Sequence, residues 1–302
     1  MVRKHARRAV KAAFAVALAI PIVLGGTANA KTTAPTITIG TKNFTEQYVL
    51  GQLYKQALEA KGFKVAYKEN IGSSELIDTA QKSGKINFYP EYTGVVALVL
   101  GHAKTPKSLA QNYTAAKAYE EKHGSTLLKQ TPFYDSDSFA VLKKTAAKYG
   151  LKSIGDLQKA GSFKFGGFPE CKTRNTCFVG YTKQYRITKA TFVPLAGISA
   201  YAALDAGKVL AADVFSTDPP LGKGSKYTVL ADPKHVTGFQ NVAPIVKTSV
   251  ATALGSKFTQ TVNAVSALLT QDAIVAMNKA VIVDKQSAAK VAGAFLKANG
   301  LA

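Results

Sequence analysis

The sequence predicts an α/β fold. Three observations carry this: short strand-type runs recur along the chain, helical stretches separate them, and glycines stand where helices should stop. Thr36-Ile37-Thr38-Ile39 alternates polar and apolar residues as a strand does. Asn43 and Glu46 have capping-box spacing, and Leu50, Leu53, Ala57 and Leu58 recur at helical spacing up to Gly62. Val65 to Tyr67 is a second short strand. Ser74 to Lys82 reads as a helix with Leu76, Ile77 and Ala80 on one face, closed by Gly84, and Ile86 to Tyr89 as a third strand.

The middle of the chain repeats the theme. Ser138 to Leu142 is a strand, Ser153 to Lys159 a short helix and Phe163 to Phe165 another strand. Gly197 to Ala206 is a helix ending at Gly207. Ala211 to Phe215 and Val229-Leu230 are strands, and Ala243 to Val246 precedes a change of pattern. From Gly255 to Ala298 the sequence is helical, with breaks near Thr270 and Asp284. No repeat and no Gly/Ser/Pro-rich linker divides it, so two lobes would be joined by short crossings. In open α/β sheets ligands sit beyond the carboxyl ends of strands, which makes the strand-end loops the place to look.

The first thirty residues read as a leader. Arg3, Lys4, Arg7, Arg8 and Lys11 form a basic region, Ala12 to Leu24 is apolar, and Ala28-Asn29-Ala30 is an A-x-A cleavage pattern. The apolar run is shorter than the roughly 20 residues a membrane span needs. Cleavage after Ala30 and export to the periplasm are expected. No Cys follows the run, so no lipid anchor is expected there, and no later stretch is long and apolar enough to span a membrane. Removing the leader leaves about 270 of the 302 residues, enough for two lobes. The formal net charge is +21. Such a charge suits nucleic acid or an anionic envelope, but the lysines are scattered (Lys55, Lys61, Lys64, Lys68, Lys82, Lys85), as on a solvated surface. Scatter and export argue against nucleic acid. Cys171 and Cys177 in an exported chain read as a disulfide that shapes a local loop. Two ligands without a nearby His do not make a zinc site.

The strand-end loops carry the unusual residues. Lys42 stands just before a helix N-terminus, where an anion is favoured. Tyr89-Pro90-Glu91-Tyr92-Thr93-Gly94 follows the third strand. Tyr134 to Phe139 marks one crossing and Phe239-Gln240-Asn241 the return. Pro169 to Phe178 spans the cysteine loop with Arg174, and Phe215-Ser216-Thr217-Asp218 follows a further strand. Each set also reads as rim packing or turn chemistry. Their recurrence is what points to a site: aromatic faces suit a methylated ammonium, and Arg and Lys suit a carboxylate.

Lys42-Asn43-Phe44-Thr45-Glu46-Gln47, Tyr89 to Gly94, Glu170-x-x-x-Arg174, Phe215 to Asp218 and Gln240 to Pro244 occur in an order that resembles the substrate-binding proteins of osmoprotectant ABC transporters, the glycine betaine/carnitine/choline family. The likeness runs from about Ile37 to Leu301. It implies a two-lobed, type II periplasmic-binding-protein (Venus-flytrap) fold with the ligand in the cleft. The lobes would be residues 31–136 with 242–302, and 137–241. It implies a cage with Tyr92 as a wall, Asp137 on its border, and Phe139, Phe215 and Phe239 as further walls. Lys42 and Arg174 would clamp a carboxylate. Gln47, Thr93, Thr217, Asp218 and Asn241 complete the implied ligand-binding set. No catalysis, cofactor or metal is implied. The partners would be a small solute and a membrane permease, and the protein would act as a monomer.

The chain departs from this pattern at several positions. Phe139 and Phe215 stand where betaine binders commonly have Tyr, and Val95 where a Thr is frequent. Asn175-Thr176-Cys177 replaces an Asp-Gly turn, and Gln240-Asn241 stand where some members place tyrosines. These changes favour a second reading, the same fold with another small zwitterion or an amino acid. A secreted hydrolase is a third reading, but the chain has no G-x-S-x-G elbow, and none of His102, His123 and His235 sits in a site-like loop. An envelope-polymer or nucleic-acid binder is a fourth, resting on charge alone.

Overall fold

Beyond Met1, the computed structural model describes residues 34–195, 199–222 and 224–302. The leader and its cleavage site lie outside the described residues, as does Gly197, the expected start of one helix.

In the first half of the chain come β1 (Ile37–Gly40), α1 (Thr45–Ala60), β2 (Val65–Lys68), α2 (Ser74–Lys82) and β3 (Phe88–Tyr92). A π-helical stretch (Val95–Leu100), α3 (Leu109–Lys122) and β4 (Ser125–Leu127) follow. The middle holds β5 (Asp137–Leu142), α4 (Lys143–Tyr149), a 3-10 stretch (Ile154–Ala160) and β6 (Phe163–Gly167). A 3-10 turn (Pro169–Lys172), α5 (Phe178–Gln184), β7 (Ala190–Pro194), α6 (Ala200–Asp205), β8 (Ala211–Phe215) and β9 (Tyr227–Val229) complete it. The chain closes with β10 (Val242–Lys247), α7 (Thr248–Leu268), α8 (Gln271–Ile282) and α9 (Ala288–Ala298).

The described residues form two five-stranded sheets of the same plan. In the first the order is β2-β1-β3-β10-β4, in the second β7-β6-β8-β5-β9. Three parallel strands in each are extended by an antiparallel strand that comes from beyond a crossing: β10 against β3, and β5 against β8. The chain passes from the first sheet to the second between β4 and β5 and returns between β9 and β10. The two crossings pair: Tyr134 bridges Asn241, and the Asp135 amide donates to Gln240 O at 3.1 Å.

The first sheet is stabilised by α1. Leu50, Leu53, Tyr54, Ala57 and Leu58 make one apolar stripe, buried against Phe258, Val262, Leu269 and Leu296 of the C-terminal helices. Each fully buried Leu on that stripe contributes roughly 1.5–3 kcal/mol relative to an exposed one. The second sheet has its own core in Phe139, Phe165, Leu157 and Tyr181.

Several local expectations are corrected. The N-cap of α1 is Phe44, not Asn43, and no side chain caps the helix. Glu46 cannot reach back as a capping box because its carboxylate is bonded inside the protein. Leu76 is 57% exposed, so only Ile77 and Ala80 of that trio face the core. The third strand starts and ends later than its apolar pattern implies and runs through Pro90. Pro90 lies opposite Pro244 in β10, and β1 is registered with β3 only at Ile39–Phe88, so Pro90 removes no donor from that ladder. α7 begins at Thr248, with the chain kinked at Gly255, whose φ of 71° suits glycine.

Candidate functional site

The carboxyl ends of β1, β3, β6 and β8 meet the amino end of β5, where Asp137 lies opposite Phe215, between the two sheets. Gly94, just past β3, lets the return crossing approach: a Cβ there would stand 2.4 Å from Gln240 Nε2 and 2.7 Å from Phe239 O. This close contact sets the neighbourhood in which the site residues meet.

Lys42 is 4% exposed and lies at the end of β1. Its Nζ donates to Glu91 Oε1 at 2.5 Å and to Ser74 Oγ at 3.1 Å. It also stands 4.2 Å from the ring centroid of Tyr92 and 5.4 Å from that of Phe44. Burial pushes the Lys42 ammonium below its ordinary pKa, and Glu91 opposes that shift. The protein's own ammonium therefore lies over the Tyr92 ring, where the resemblance places a ligand's head.

Tyr92 donates to Glu46 Oε1 at 2.7 Å. The other Glu46 oxygen accepts from Thr217 Oγ1 at 2.6 Å and from Asn278 Nδ2 at 2.9 Å. One buried carboxylate thus ties β3, the turn after β8, and α8. Burial raises its pKa, and these three neutral donors hold it back. Asp135 Oδ1 accepts from the Thr217 amide at 3.1 Å and from Ser216 Oγ at 3.2 Å. Asp218 Oδ2 accepts from the Phe215 amide at 2.9 Å and Tyr201 OH at 2.8 Å. Burial raises Asp135 far above the usual carboxylate range, and the charges of Glu46 and Asp218 add to it. Asp218 is also raised by burial.

Of these groups, Glu46, Asp135, Tyr201, Thr217, Asp218 and Asn278 line a cavity of about 270 Å³. Phe44 and Thr45 enter it from the start of α1, Asn278 and Ile282 from α8, and Phe168, Tyr201 and Phe215 from the second-sheet side. Phe44 stacks on Phe215 with centroids 5.4 Å apart and planes at 10°, and Phe168 lies 5.9 Å from Phe215. Glu46, Asp135, Asp213 and Asp218 supply the polar lining. Such a set can hold a cation between aromatic faces and buried carboxylates.

Arg174 sits in the loop closed by the Cys171–Cys177 disulfide, which is formed, with Cα atoms 5.1 Å apart. It does not point at a free space. Its Nε and Nη2 fork onto Glu75 at 3.1 and 2.9 Å, joining the second half of the chain to the first turn of α2. Gly180 lets α5 begin against that loop, since a Cβ would stand 1.7 Å from Asn175 O.

Of the residues singled out in the sequence, Phe215, Thr217 and Asp218 line the cavity, and Tyr92 is bonded to its Glu46. Others go elsewhere. Phe139 is 1% exposed and packs on Phe165 and Tyr181 at 4.1 and 4.3 Å, because the inward face of β5 is the second core. Phe239, Asp137 and Asn241 line a larger cavity of about 500 Å³ beside the crossings. The Asn241 amide donates to Thr131 O and Phe133 O, each at 3.0 Å, so it pins one crossing to the other. Thr93 Oγ1 donates to Phe239 O at 3.2 Å and accepts from Asn112. Gln47 is fully buried, and its amide has no hydrogen-bond partner among the described residues. Sequence reasoning did not assign Phe44, Glu46, Asp135, Phe168, Tyr201, Asp213 or Asn278 to a site. Phe44, Glu46 and Asp135 stand inside segments it picked out, but nothing local marks Tyr201 or Asn278.

A family model described as the substrate binding domain of an ABC-type glycine betaine transport system matches residues 35–298. The glycine betaine-binding protein YehZ of Escherichia coli K12 is 29% identical over 282 residues, 88% of this chain and 92% of that protein. A glycine-betaine-binding protein of Pseudomonas aeruginosa is also 29% identical, over 89% of both chains. The crystal structure of a glycine betaine/carnitine/choline ABC transporter superimposes with a TM-score of 0.70 at 20% identity, covering 88% of this chain and 99% of that one. At that identity it shows the fold alone, the α/β fold of type II periplasmic binding proteins. The chain therefore belongs to the family of substrate-binding domains of ABC-type glycine betaine transport systems, which are solute-binding proteins rather than enzymes and serve a membrane permease from outside the cytoplasm.

Proposed function

We propose that this chain binds a quaternary-ammonium osmolyte (glycine betaine, choline or carnitine) in the aromatic cavity between its two sheets and delivers it to an ABC importer. The observation that carries this is the Phe44–Phe215 stack, flanked by Phe168 and Tyr201 and backed by buried carboxylates. A desolvated ammonium over such faces gains about 2 kcal/mol or more. In this reading residues 31–136 with 242–302 make one lobe and 137–241 the other. The paired crossings at Tyr134–Asn241 act as the hinge. The chain is exported with its leader removed after Ala30 and works in the periplasm as a monomer. Calorimetry of the refolded chain without its leader tests it, with glycine betaine, choline, carnitine, proline and glutamine as titrants. The expected result is saturable binding of at least one methylated ammonium, weakened tenfold or more in Phe215→Ala. Silence from all three methylated compounds would overturn the ligand assignment.

A further inference from the structure

We propose that the solute of this cavity is a cation with no carboxylate, and that Asp213 is the residue that selects for it. The inference rests on the solute-binding reading of the cavity and narrows it by charge.

Four carboxylates line the cavity, and among the described residues no Lys, Arg or His does. Three of them, Glu46, Asp135 and Asp218, are held by neutral donors from Tyr92, Thr217, Asn278, Ser216, Tyr201 and backbone amides. Asp213 differs. It is 4% exposed, stands on β8 at the cavity wall, and its Oδ1 has no hydrogen-bond partner among the described residues. Its carboxylate lies within 4.8 Å of the Cys171 and Cys177 sulfurs, which offer it no donor, so a positive charge brought into the cavity is what relieves its burial.

The residues that could take a ligand carboxylate are already paired. Lys42 is bound to Glu91, and Arg174 is bidentate on Glu75. Neither lines the cavity. A zwitterion would therefore set its own carboxylate among buried acids with no counter-ion. A cation with a neutral tail meets aromatic faces, carboxylates and neutral hydroxyl and amide groups. Burial and then the nearby Asp137 charge favour the neutral Asp213 acid, and Arg174 opposes this only in part; a bound cation supplies the missing positive charge and draws Asp213 to its carboxylate form.

Choline and glycine betaine share one trimethylammonium head and differ in hydroxyl against carboxylate, so they separate the two cases. Calorimetry of the refolded chain near neutral pH should show choline binding at least tenfold more tightly than glycine betaine. In Asp213→Asn, which keeps the side-chain shape, choline should weaken until the two lie within about threefold. Circular dichroism checks that this variant is folded, and the ratio in the unmodified chain decides the matter even if it is not. Glycine betaine binding as tightly as choline, or a ratio unmoved in a folded Asp213→Asn, overturns this proposal and leaves the osmolyte reading standing. Binding of neither compound overturns this proposal, and silence from carnitine as well overturns both.

Discussion

Arg174 reaches across the cleft and forks onto Glu75, with Nε and Nη2 bonded to its two carboxylate oxygens at 3.1 and 2.9 Å. Burial alone would raise the Glu75 pKa, but the bonds and charge of Arg174, with the Ser73 hydroxyl, hold it at about 2. The contact joins the two halves of the chain without a ligand. Glu75→Gln is expected to loosen closure, seen as a larger radius of gyration in X-ray scattering and a several-fold weaker ligand affinity. The effect stays modest because the Glu75 side chain is 45% exposed. If Arg174 instead clamps a ligand carboxylate, Glu75→Gln would free it and tighten binding of glycine betaine. A depressed carboxylate contributes stability above its ordinary pKa of 4.5 and loses it as pH falls through about 2, so the fork persists in mild acid.

The Lys42–Glu91 pair makes a different prediction, because both side chains are almost fully buried, at 5% and 0% exposure. Lys42→Met would leave Glu91 charged and uncompensated, at a cost of about 3–5 kcal/mol. Glu91→Gln would do the same to Lys42. The double variant should recover most of the loss, since neither charge is then left alone. Urea unfolding of the four proteins measures the coupling, and additive losses would show that the two groups do not depend on each other.

Glu120 lies behind the first sheet, 1% exposed, with Oε1 unpartnered among the described residues. Burial, then the charges of Asp78 and Glu91, push its pKa up to about 8, while Lys82 and Lys247 oppose the shift. A raised carboxylate favours folding below its ordinary pKa of 4.5 and loses that contribution as pH rises through about 8. Stability should thus fall from pH 5 to pH 9 by an amount on the order of 4 kcal/mol from this group. Glu120→Gln should flatten that part of the profile in melting curves taken across the range. An unchanged slope would assign the pH dependence to other groups.

These three positions show what could be read in advance. The period-two runs and the stripe of α1 are local patterns, so β1, β2, α2, β8 and α1 follow from the residues themselves. α3 does not, because its buried positions are Asn112, Ala116 and Glu120, and a helix that turns polar groups inward carries no apolar stripe. Lys42, Arg174 and Phe215 could be picked out because unusual residues at strand ends stand apart from their neighbours. Their partners could not. Glu46 meets Asn278, 232 positions away in the sequence, and only the return of the chain to the first sheet brings them together. The aromatic at 139 was legible as a ring on a strand, but which face of β5 would be the core depended on α5 and β6 packing there.

The disulfide loop gives the last prediction. Cys171–Cys177 closes a span of six positions around Arg174, and Gly167, next to Phe168, abuts it: a Cβ at that position would stand 3.2 Å from Cys171 Sγ. A loop this short restricts the unfolded chain only slightly, about 2 kcal/mol in the chain-entropy picture. Reduction should therefore lower the melting temperature without unfolding the protein. Its larger consequence falls on the site. Arg174 is inside the loop and Phe168 borders it, so loosening the loop blurs both the fork to Glu75 and the third wall of the cavity. Ligand affinity measured with and without a reductant should drop several-fold, and Cys171→Ser with Cys177→Ser should reproduce the drop in the absence of reductant. Equal affinities in all three conditions would show that the loop is held by its packing against β6 and β8, with the disulfide adding nothing to the site.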